Sequence, residues 1–329
     1  MRIGIVTPAP PGSNYGNRIT ALRWARILRR LGHRVSISQE YDGAPYDFLI
    51  ALHARRSYQS VKRFRRQNIH APIIVALTGT DLYQDIRNNH LARESLEIAT
   101  RIVALQPKAV EELRQDLRDK TRVIYQSVEH SSRSGTDKQR LKGRAFIGSP
   151  NGRSFDVCVI GHLRPVKDPF RAALASRLLP LSSQIRILQV GGAMTTAMAE
   201  RAKAEARANP RYHWLGEQSR ARVRRILARS HLCVLSSHIE GGANVVSEAI
   251  VASAPIVASR IDGNVGILGP DYPGFFTVGD TNQLARLMRS AESDPRFLFD
   301  LRARVKALGP IFDPKREERA WKDLISELE

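Results

Sequence analysis

The chain has few of the residues from which disulfide frameworks, membrane spans and base-stacking surfaces are built. Of its 329 residues, two are cysteine and 6% are aromatic. No apolar run approaches the ~20 residues that cross a bilayer. Cys158 and Cys233 fall in predicted buried strands without metal-ligand spacing, so we interpret both as reduced core residues. The first predicted strand is too short for a signal-peptide core. We therefore expect a cytoplasmic protein without a membrane span.

Acidic residues are scarce relative to basic ones. The chain carries 52 Lys and Arg against 32 Asp and Glu, a formal net charge of +20. Such a surplus indicates anionic partners or substrates. Nucleic acid is not expected, because no zinc-finger spacing, aromatic RNA-binding strand or basic zipper accompanies the charge. We expect small anionic substrates instead.

Several motifs of catalytic sites are also missing. The sequence contains no Asp-x-Asp pair, P-loop, paired-histidine zinc motif or Gly-x-Ser-x-Gly elbow. We therefore predict neither a metal site nor a bound cofactor.

Short apolar strands alternate with amphipathic helices along most of the chain, which is typical of parallel sheets covered on both faces. The alternation stops only at 130–153, which is rich in Ser, Gly, Lys and Arg. The sequence thus predicts an α/β protein of two doubly wound, Rossmann-like domains (1–129 and 154–312), a polar linker at 130–153 and a closing helix at 313–329. Ligands of such sheets bind at the carboxyl ends of the strands, so we expect a central cleft. The predicted strands are 3–7, 35–38, 47–52, 73–77, 101–105, 122–125, 155–160, 185–190, 212–215, 232–235 and 256–258.

The most informative segment is 236–249, which follows an apolar strand and turns through two glycines into a helix. Glu240 would lie on the turn and Glu248 about one turn into the helix. A new helix offers unpaired N–H groups to an anion, and carboxylates accept bonds from hydroxyl groups. The combination describes a nucleotide-sugar site, with further binding positions at Gly241, Gly242, Ala243 and Asn244. The alternative, a capping box from Ser237 to Glu240, is disfavoured because glycine is a poor helix former.

Other candidates follow predicted strands on the same side. Arg164 and Lys167 could neutralise a diphosphate, and Gly191-Gly192 forms a glycine turn. In the first domain, a glycine loop enters helix 17–31, whose buried side would carry Ile19, Leu22, Leu28 and Leu31. The loop and the turn after strand 73–77 form a plausible second anion site, comprising Gly12, Gly16, Asn17 as helix cap, Arg18, Thr78, Gly79, Thr80 and Asp81. Thr80 and Asp81 could equally cap a helix, and His53, followed by Arg55 and Arg56, is more simply structural.

Residues 155–280 resemble the GT-B glycosyltransferases of the large group-4 family. The likeness rests on 161–167, on the two glutamates separated by seven intervening residues, on 249–258 and on Ile261-Asp262-Gly263. It implies that Glu240 lies beside the donor sugar, Glu248 holds the ribose hydroxyls and Lys167 holds the diphosphate. Two positions depart from the family. His162 stands where an arginine is usual, so Arg164 would substitute, and Thr78-Gly79 stands where a histidine is frequent.

The segments 7–12, 16–18, 21–25, 51–57 and 76–83, with 161–164 and 167–169, are similar to the selenosugar synthases of selenoneine biosynthesis. Those enzymes join selenophosphate to a UDP-sugar, typically UDP-N-acetylglucosamine, through a carbon–selenium bond at the anomeric carbon. The resemblance implies both substrates for this chain, without a metal. It also implies hand-off of the product to a downstream enzyme of that pathway.

Two other functions stay open. A group-4 glycosyltransferase could transfer a sugar to a hydroxyl acceptor, which predicts an apolar or amphipathic acceptor surface. A nucleic-acid-binding protein on a degenerate transferase scaffold would fit the charge but not the retained Glu240, Glu248 and Lys167.

Overall fold

A computed structural model of the chain describes residues 1–129 and 154–328. It contains two six-stranded sheets in which every paired strand is parallel, each belonging to one α/β domain. The fold class predicted from the alternation is therefore confirmed. The predicted linker at 130–153 lies outside the described residues.

The first sheet has the order β2-β1-β3-β4-β5-β6 and the second the order β12-β11-β10-β7-β8-β9. The first half supplies β1 (Arg2–Val6), β2 (Arg34–Ser38), β3 (Phe48–Leu52), β4 (Ile73–Leu77), β5 (Arg101–Ala104) and β6 (Thr121–Val123). The second half supplies β7 (Phe155–Ile160), β8 (Ile185–Val190), β9 (Tyr212–Trp214), β10 (Leu232–Leu235), β11 (Ile256–Ser259) and β12 (Phe275–Phe276). The two-residue β12 was not predicted, because so short a run carries no periodicity.

Helices cover both faces of each sheet. Those of the first half are α1 (Gly16–Arg30), α2 (Tyr58–Gln67), α3 (Ile86–Asn88), α4 (His90–Ile98), α5 (Lys108–Glu111) and α6 (Gln115–Asp119), with a π-helical turn at Asp81–Asp85. Those of the second half are α7 (Arg171–Ser176), α8 (Thr196–Ala208), α9 (Arg220–Arg229), α10 (Asn244–Val251), α11 (Asp262–Leu268), α12 (Thr281–Ser293), α13 (Pro295–Ala307) and α14 (Pro314–Ser326), with 3-10 turns at Pro165–Lys167 and Gly309–Phe312. Short polar side chains cap several of them, as Ser219 does for α9 and Asp313 for α14.

Helix α1 differs from its prediction in two ways. It begins at Gly16, so Asn17 lies inside the helix and is not its cap, and the capping position is Tyr15 without a side-chain bond. Leu22 is 41% exposed, because the buried face runs through Ala21, Trp24, Ala25 and Leu28 instead.

The closing helix α14 returns to the first domain. Trp321 packs edge-on against Trp24 of α1, with ring centroids 4.8 Å apart, and belongs to the core of the first sheet. The buried Glu317 accepts bonds from Trp24 Nε1 at 2.9 Å and from the Ser127 N–H at 2.8 Å. Its burial raises the pKa of this carboxyl, while nearby Arg23 opposes the shift. The chain thus crosses between domains a second time at a buried, hydrogen-bonded contact.

Candidate active site

A cleft of about 600 Å³ separates the two domains and is lined from both. Residues that follow β1, β3 and β4 contribute to one wall, and residues that follow β7, β8 and β10 contribute to the other. This is where open parallel sheets place their ligands. Of the residues predicted from the sequence, the cleft brings together Gly16, Asn17, Thr78, Gly79, Thr80, Arg164, Lys167, Gly191, Glu240, Gly242, Ala243, Asn244 and Glu248.

The two glutamates reach the cleft from one continuous segment. Helix α10 begins at Asn244, so Glu240 lies in the preceding loop and Glu248 in the helix, and no helix starts at Ser237. The loop is anchored to the end of β11, because Ser259 Oγ donates to the Ser237 carbonyl at 2.6 Å. Both carboxylates therefore face one cavity beside the N-terminus of an eight-residue helix.

Gly241 does not line the cleft but closes the contact between the domains. A Cβ at this position would lie 2.6 Å from the backbone of Thr78 and Gly79 in the first domain. No side chain fits in that space, so the glutamate loop touches the opposite wall directly. The glycine that the sequence suggested for ligand approach serves backbone approach instead.

Lys167 and Arg164 line the cleft from the loop after β7. Lys167 forms an ion pair with Glu240, and the two side chains are 19% and 12% exposed. The loop is fixed to the glutamate segment by Ser236 Oγ, which donates to the Asp168 carbonyl at 2.8 Å. A strand end and a helix start far apart in sequence thus place a cation and a carboxylate in contact.

Gly191 directly follows β8, beside the end of the neighbouring parallel strand β7. Its φ is 143°, and a Cβ there would meet the Gly161 carbonyl oxygen at 2.1 Å. Only glycine allows this approach. Gly192, its neighbour, is outside the lining and packs against Glu217 and His162.

Glu248 is the electrostatically unusual carboxyl of the cleft. Burial raises its pKa, and the nearby charges of Arg23, Arg220 and Arg224 oppose that shift. No hydrogen bond to this carboxylate is present within residues 1–129 and 154–328, so its oxygens are available to a ligand.

Side chains of the two domains also meet across the cleft. Asn14 Nδ2 donates to Glu217 Oε1 at 2.6 Å, and Arg23 Nη2 donates to Asn244 Oδ1 at 2.7 Å. The Tyr15 ring meets His162 edge-on, with centroids 5.9 Å apart. His162, the departure from the group-4 pattern, thus contacts the first domain and leaves Arg164 as the cleft arginine of this loop.

The first-domain wall contains two residues that the sequence argument set aside. His53 and Arg56 both line the cleft, next to the end of β3. His53 has a left-handed φ of 75°, its Nε2 lies 3.1 Å from Thr80 Oγ1, and burial lowers its pKa. The sequence does carry one signal for these residues, because both lie shortly after the end of a predicted strand. The structural interpretation was preferred because a lone histidine at such a place is usually structural.

Four further predicted positions lie outside the lining. Gly12 is in an exposed loop, and Arg18 is on α1 but does not line the cleft. Asp81 is fully buried and accepts bonds from the backbone N–H groups of Thr78, Gly79 and Ala54. These bonds show that Asp81 shapes the turn after β4. Its negative charge would repel an anion, so it does not contribute to an anion site. Gly241 is the fourth.

Two negative findings concern the described residues alone. No three His, Cys, Asp or Glu side chains among them are grouped so that they could hold a metal ion. No helix in the same ranges is long and apolar enough to span a membrane.

The two facing parallel-sheet domains define a GT-B fold, and solved glycosyltransferase-like structures share it. The HepE protein of Anabaena in complex with UDP superposes with a TM-score of 0.76 at 16% identity, covering 99% of each chain. Sucrose-phosphate synthase of Thermosynechococcus elongatus gives 0.78 at 16% identity, over 100% of this chain and 99% of that one. The E. coli trehalose-6-phosphate protein bound with UDP-2-fluoro glucose gives 0.70 at 12% identity, over 100% and 99%. At such identities the likeness shows the fold.

The family follows from the sequence of the second half. Residues 145–309 match the model of the family described as glycosyl transferases group 1, and this match spans half of the chain. The chain belongs to that family. A comparison with curated proteins found no match.

Proposed function

We propose that this glycosyltransferase moves a sugar from a UDP-sugar to an acceptor bound on the first-domain wall of the cleft. The observation that carries the proposal is the convergence of Glu240, Glu248, Lys167 and Arg164 on one cavity beside the start of α10. The nucleotide is suggested by similar structures that hold UDP or UDP-2-fluoro glucose.

Each group has a distinct task in this proposal. Glu248 accepts bonds from the ribose hydroxyls, for which its unoccupied oxygens are suited. Lys167 and Arg164 offset the charge that grows on the departing diphosphate. Glu240 lies beside the sugar and holds Lys167 in place until the diphosphate arrives. When the donor binds, its diphosphate would replace Glu240 as the ionic partner of Lys167.

The acceptor is proposed to be a small anion, and selenophosphate in particular. Within the described residues, the first domain contributes His53 and Arg56 to the cleft but no carboxylate. A sugar hydroxyl usually needs help to lose its proton, whereas selenium in selenophosphate can attack already deprotonated. Its selenium would form a bond to the anomeric carbon as the bond from that carbon to the diphosphate oxygen breaks and UDP leaves. The motif likeness to selenosugar synthases is the second support.

The general alternative, transfer to a hydroxyl acceptor, is favoured by family membership alone. Incubation with UDP-N-acetylglucosamine, with and without selenophosphate, separates the two by mass spectrometry of the product. A selenium-bearing sugar is expected. UDP release with sugar transfer only to an oxygen acceptor would leave the general function and remove the selenium one.

Arg56 provides the matched mutational test. Arg56→Ala should raise the KM for selenophosphate about tenfold or more, the effect of losing a hydrogen bond to a charged group. UDP affinity should not change, because Arg56 is on the opposite wall. Arg55→Ala is the control, since Arg55 is the adjacent arginine, is bonded to Asp85 and does not line the cleft. An equal rise in KM for both variants would show a general charge effect and remove Arg56 from the acceptor site.

A further inference from the structure

A second cavity, of about 460 Å³, lies beside the interdomain cleft. Helices α1 and α9 and the segment 127–129 contribute to its walls, and Ile19, Arg220 and Glu248 line both this cavity and the cleft. The cavity is therefore next to the proposed nucleotide position but separate from the diphosphate groups Lys167 and Arg164, which do not line it.

The lining is strongly basic. It contains six arginines and only two carboxylates, those of Glu129 and Glu248. Some of the arginines have partners already: Arg26 pairs with Glu129 at 2.6 Å and Arg30 with Glu318 at 2.9 Å. The arginines are Arg23, Arg26, Arg29, Arg30, Arg220 and Arg224.

Three of these guanidinium groups have unused donors. Within residues 1–129 and 154–328, Arg220 and Arg224 have neither a hydrogen-bond partner nor an ion pair. Both nevertheless lie close enough to Glu248 for their charges to lower the pKa of its carboxyl. Arg23 donates through Nη2 to Asn244, but its Nη1 is buried without a partner. Of the three, only Arg23 is buried at its free donor, where a missing hydrogen bond costs about 1–3 kcal/mol, whereas Arg220 is exposed and Arg224 is half-buried. A bound oxyanion would supply the missing partners.

The rest of the lining is apolar. Ile19, Leu22, Ile27, Val128 and Pro314 contribute to it. Leu22 is 41% exposed, although the helical pattern predicted it to be buried. A ligand with a carbon skeleton would cover this leucine while its charged end faces the arginines.

We propose that this cavity binds a small phosphorylated molecule carrying at least two negative charges. Guanidinium groups match phosphoryl oxygens in a bidentate geometry, and several of them converge here. The site is distinct from the diphosphate position of the donor. Its existence does not depend on the sugar acceptor or on the proposed reaction.

The test uses inorganic pyrophosphate as the probe and isothermal titration calorimetry on the full chain. UDP is held at saturation to block the donor position, and the titration is repeated without UDP. Binding in the presence of UDP is expected. Arg224→Gln, which changes a group that lines this cavity alone, should weaken it about tenfold, as expected for loss of one charge-assisted contact. The double variant with Arg26→Gln should weaken it further.

The matched control is Arg225→Gln, on the same helix but exposed and outside the cavity. It should leave pyrophosphate affinity unchanged. Equal weakening in Arg225→Gln and Arg224→Gln would reveal nonspecific attraction to a basic protein and overturn the site, as would no binding under saturating UDP. Citrate binding without pyrophosphate binding would overturn the phosphoryl assignment. Failure of UDP itself to bind would count against the proposed function, whereas the comparison of arginine variants would still decide this site.

Discussion

Replacing Glu248 with glutamine removes a charge from the cleft while keeping its shape. In the proposed complex the carboxylate accepts hydrogen bonds from the ribose hydroxyls, and a hydrogen bond to a charged group contributes about 1.5–3 kcal/mol. The amide retains one acceptor oxygen, so we expect the loss of roughly one such bond. That corresponds to about a 10- to 150-fold weaker Kd for UDP.

The same substitution has a signature in pH. Burial raises the pKa of Glu248, and Arg23, Arg220 and Arg224 restrain the shift. The ionised form is the better acceptor, so wild-type affinity for UDP should fall as the pH is lowered through this raised pKa. The fall should begin above the range in which an ordinary glutamate titrates. The glutamine variant has no carboxyl at this position, so its UDP affinity should lack this part of the pH dependence.

Calorimetry with UDP alone, from neutral to mildly acidic pH, measures both effects. Titration of the UDP phosphates is common to the two proteins, so the difference between their profiles isolates Glu248. Glu200→Gln, an exposed carboxyl paired with Lys203 on α8, serves as control. Unchanged UDP affinity in Glu248→Gln, or parallel pH profiles for both proteins, would refute the ribose assignment.

Three other predictions concern the leaving group, the need for a metal and the contact of α14 with the first domain. Lys167→Ala and Arg164→Ala should each lower kcat roughly 10²-fold in a UDP-release assay, as expected for loss of one electrostatic donor at a reacting centre. Excess EDTA should leave that rate unchanged, and activity abolished by chelation and restored by Mg²⁺ would contradict metal-independent transfer. Glu317→Gln should lower the free energy of unfolding at pH 7 by about 1–3 kcal/mol, because its amide nitrogen would face an N–H or O–H donor. In the wild type, burial raises the pKa of Glu317, so this group's contribution is fully present below its unfolded pKa and lost as pH rises through the folded one. Denaturant unfolding across pH checks both claims, and a variant with unchanged stability and unchanged pH slope would contradict them.

The alternation of apolar strands and amphipathic helices determines the fold class by local means. The strand Ile73–Leu77, for example, is a continuous apolar run in the sequence and is buried at every position in the sheet. The two glutamates were also predictable, because Glu240 and Glu248 lie on one turn-and-helix segment whose geometry is set over fourteen residues of sequence at 236–249. Boundaries were less accurate, as at Asn17, because a helix end depends on contacts made by the preceding loop.

Contacts between distant segments could not be derived in this way. Nothing near Asp81 in sequence shows that Ala54, from another strand end, will donate to its carboxylate and bury it. Likewise, the ion pair of Lys167 with Glu240 joins residues 73 positions apart. Local spacing predicts the side of a sheet on which a residue lies, but not the distant residue with which it will form an ion pair or a hydrogen bond.

The sequence by itself determined the two parallel-sheet domains, the side of each sheet on which polar residues collect and the glutamate segment, since all three follow from periodicity and turn chemistry within short stretches. Only the tertiary structure decided that His53 and Arg56 line the cleft, that Gly241 is a backbone contact between domains and that Leu22 borders an arginine-lined cavity. The physical reason is that these roles depend on how two domains and a returning helix pack together. That packing is set by the summed burial of many distant side chains, such as Trp24 against Trp321, and no single stretch of the chain encodes it.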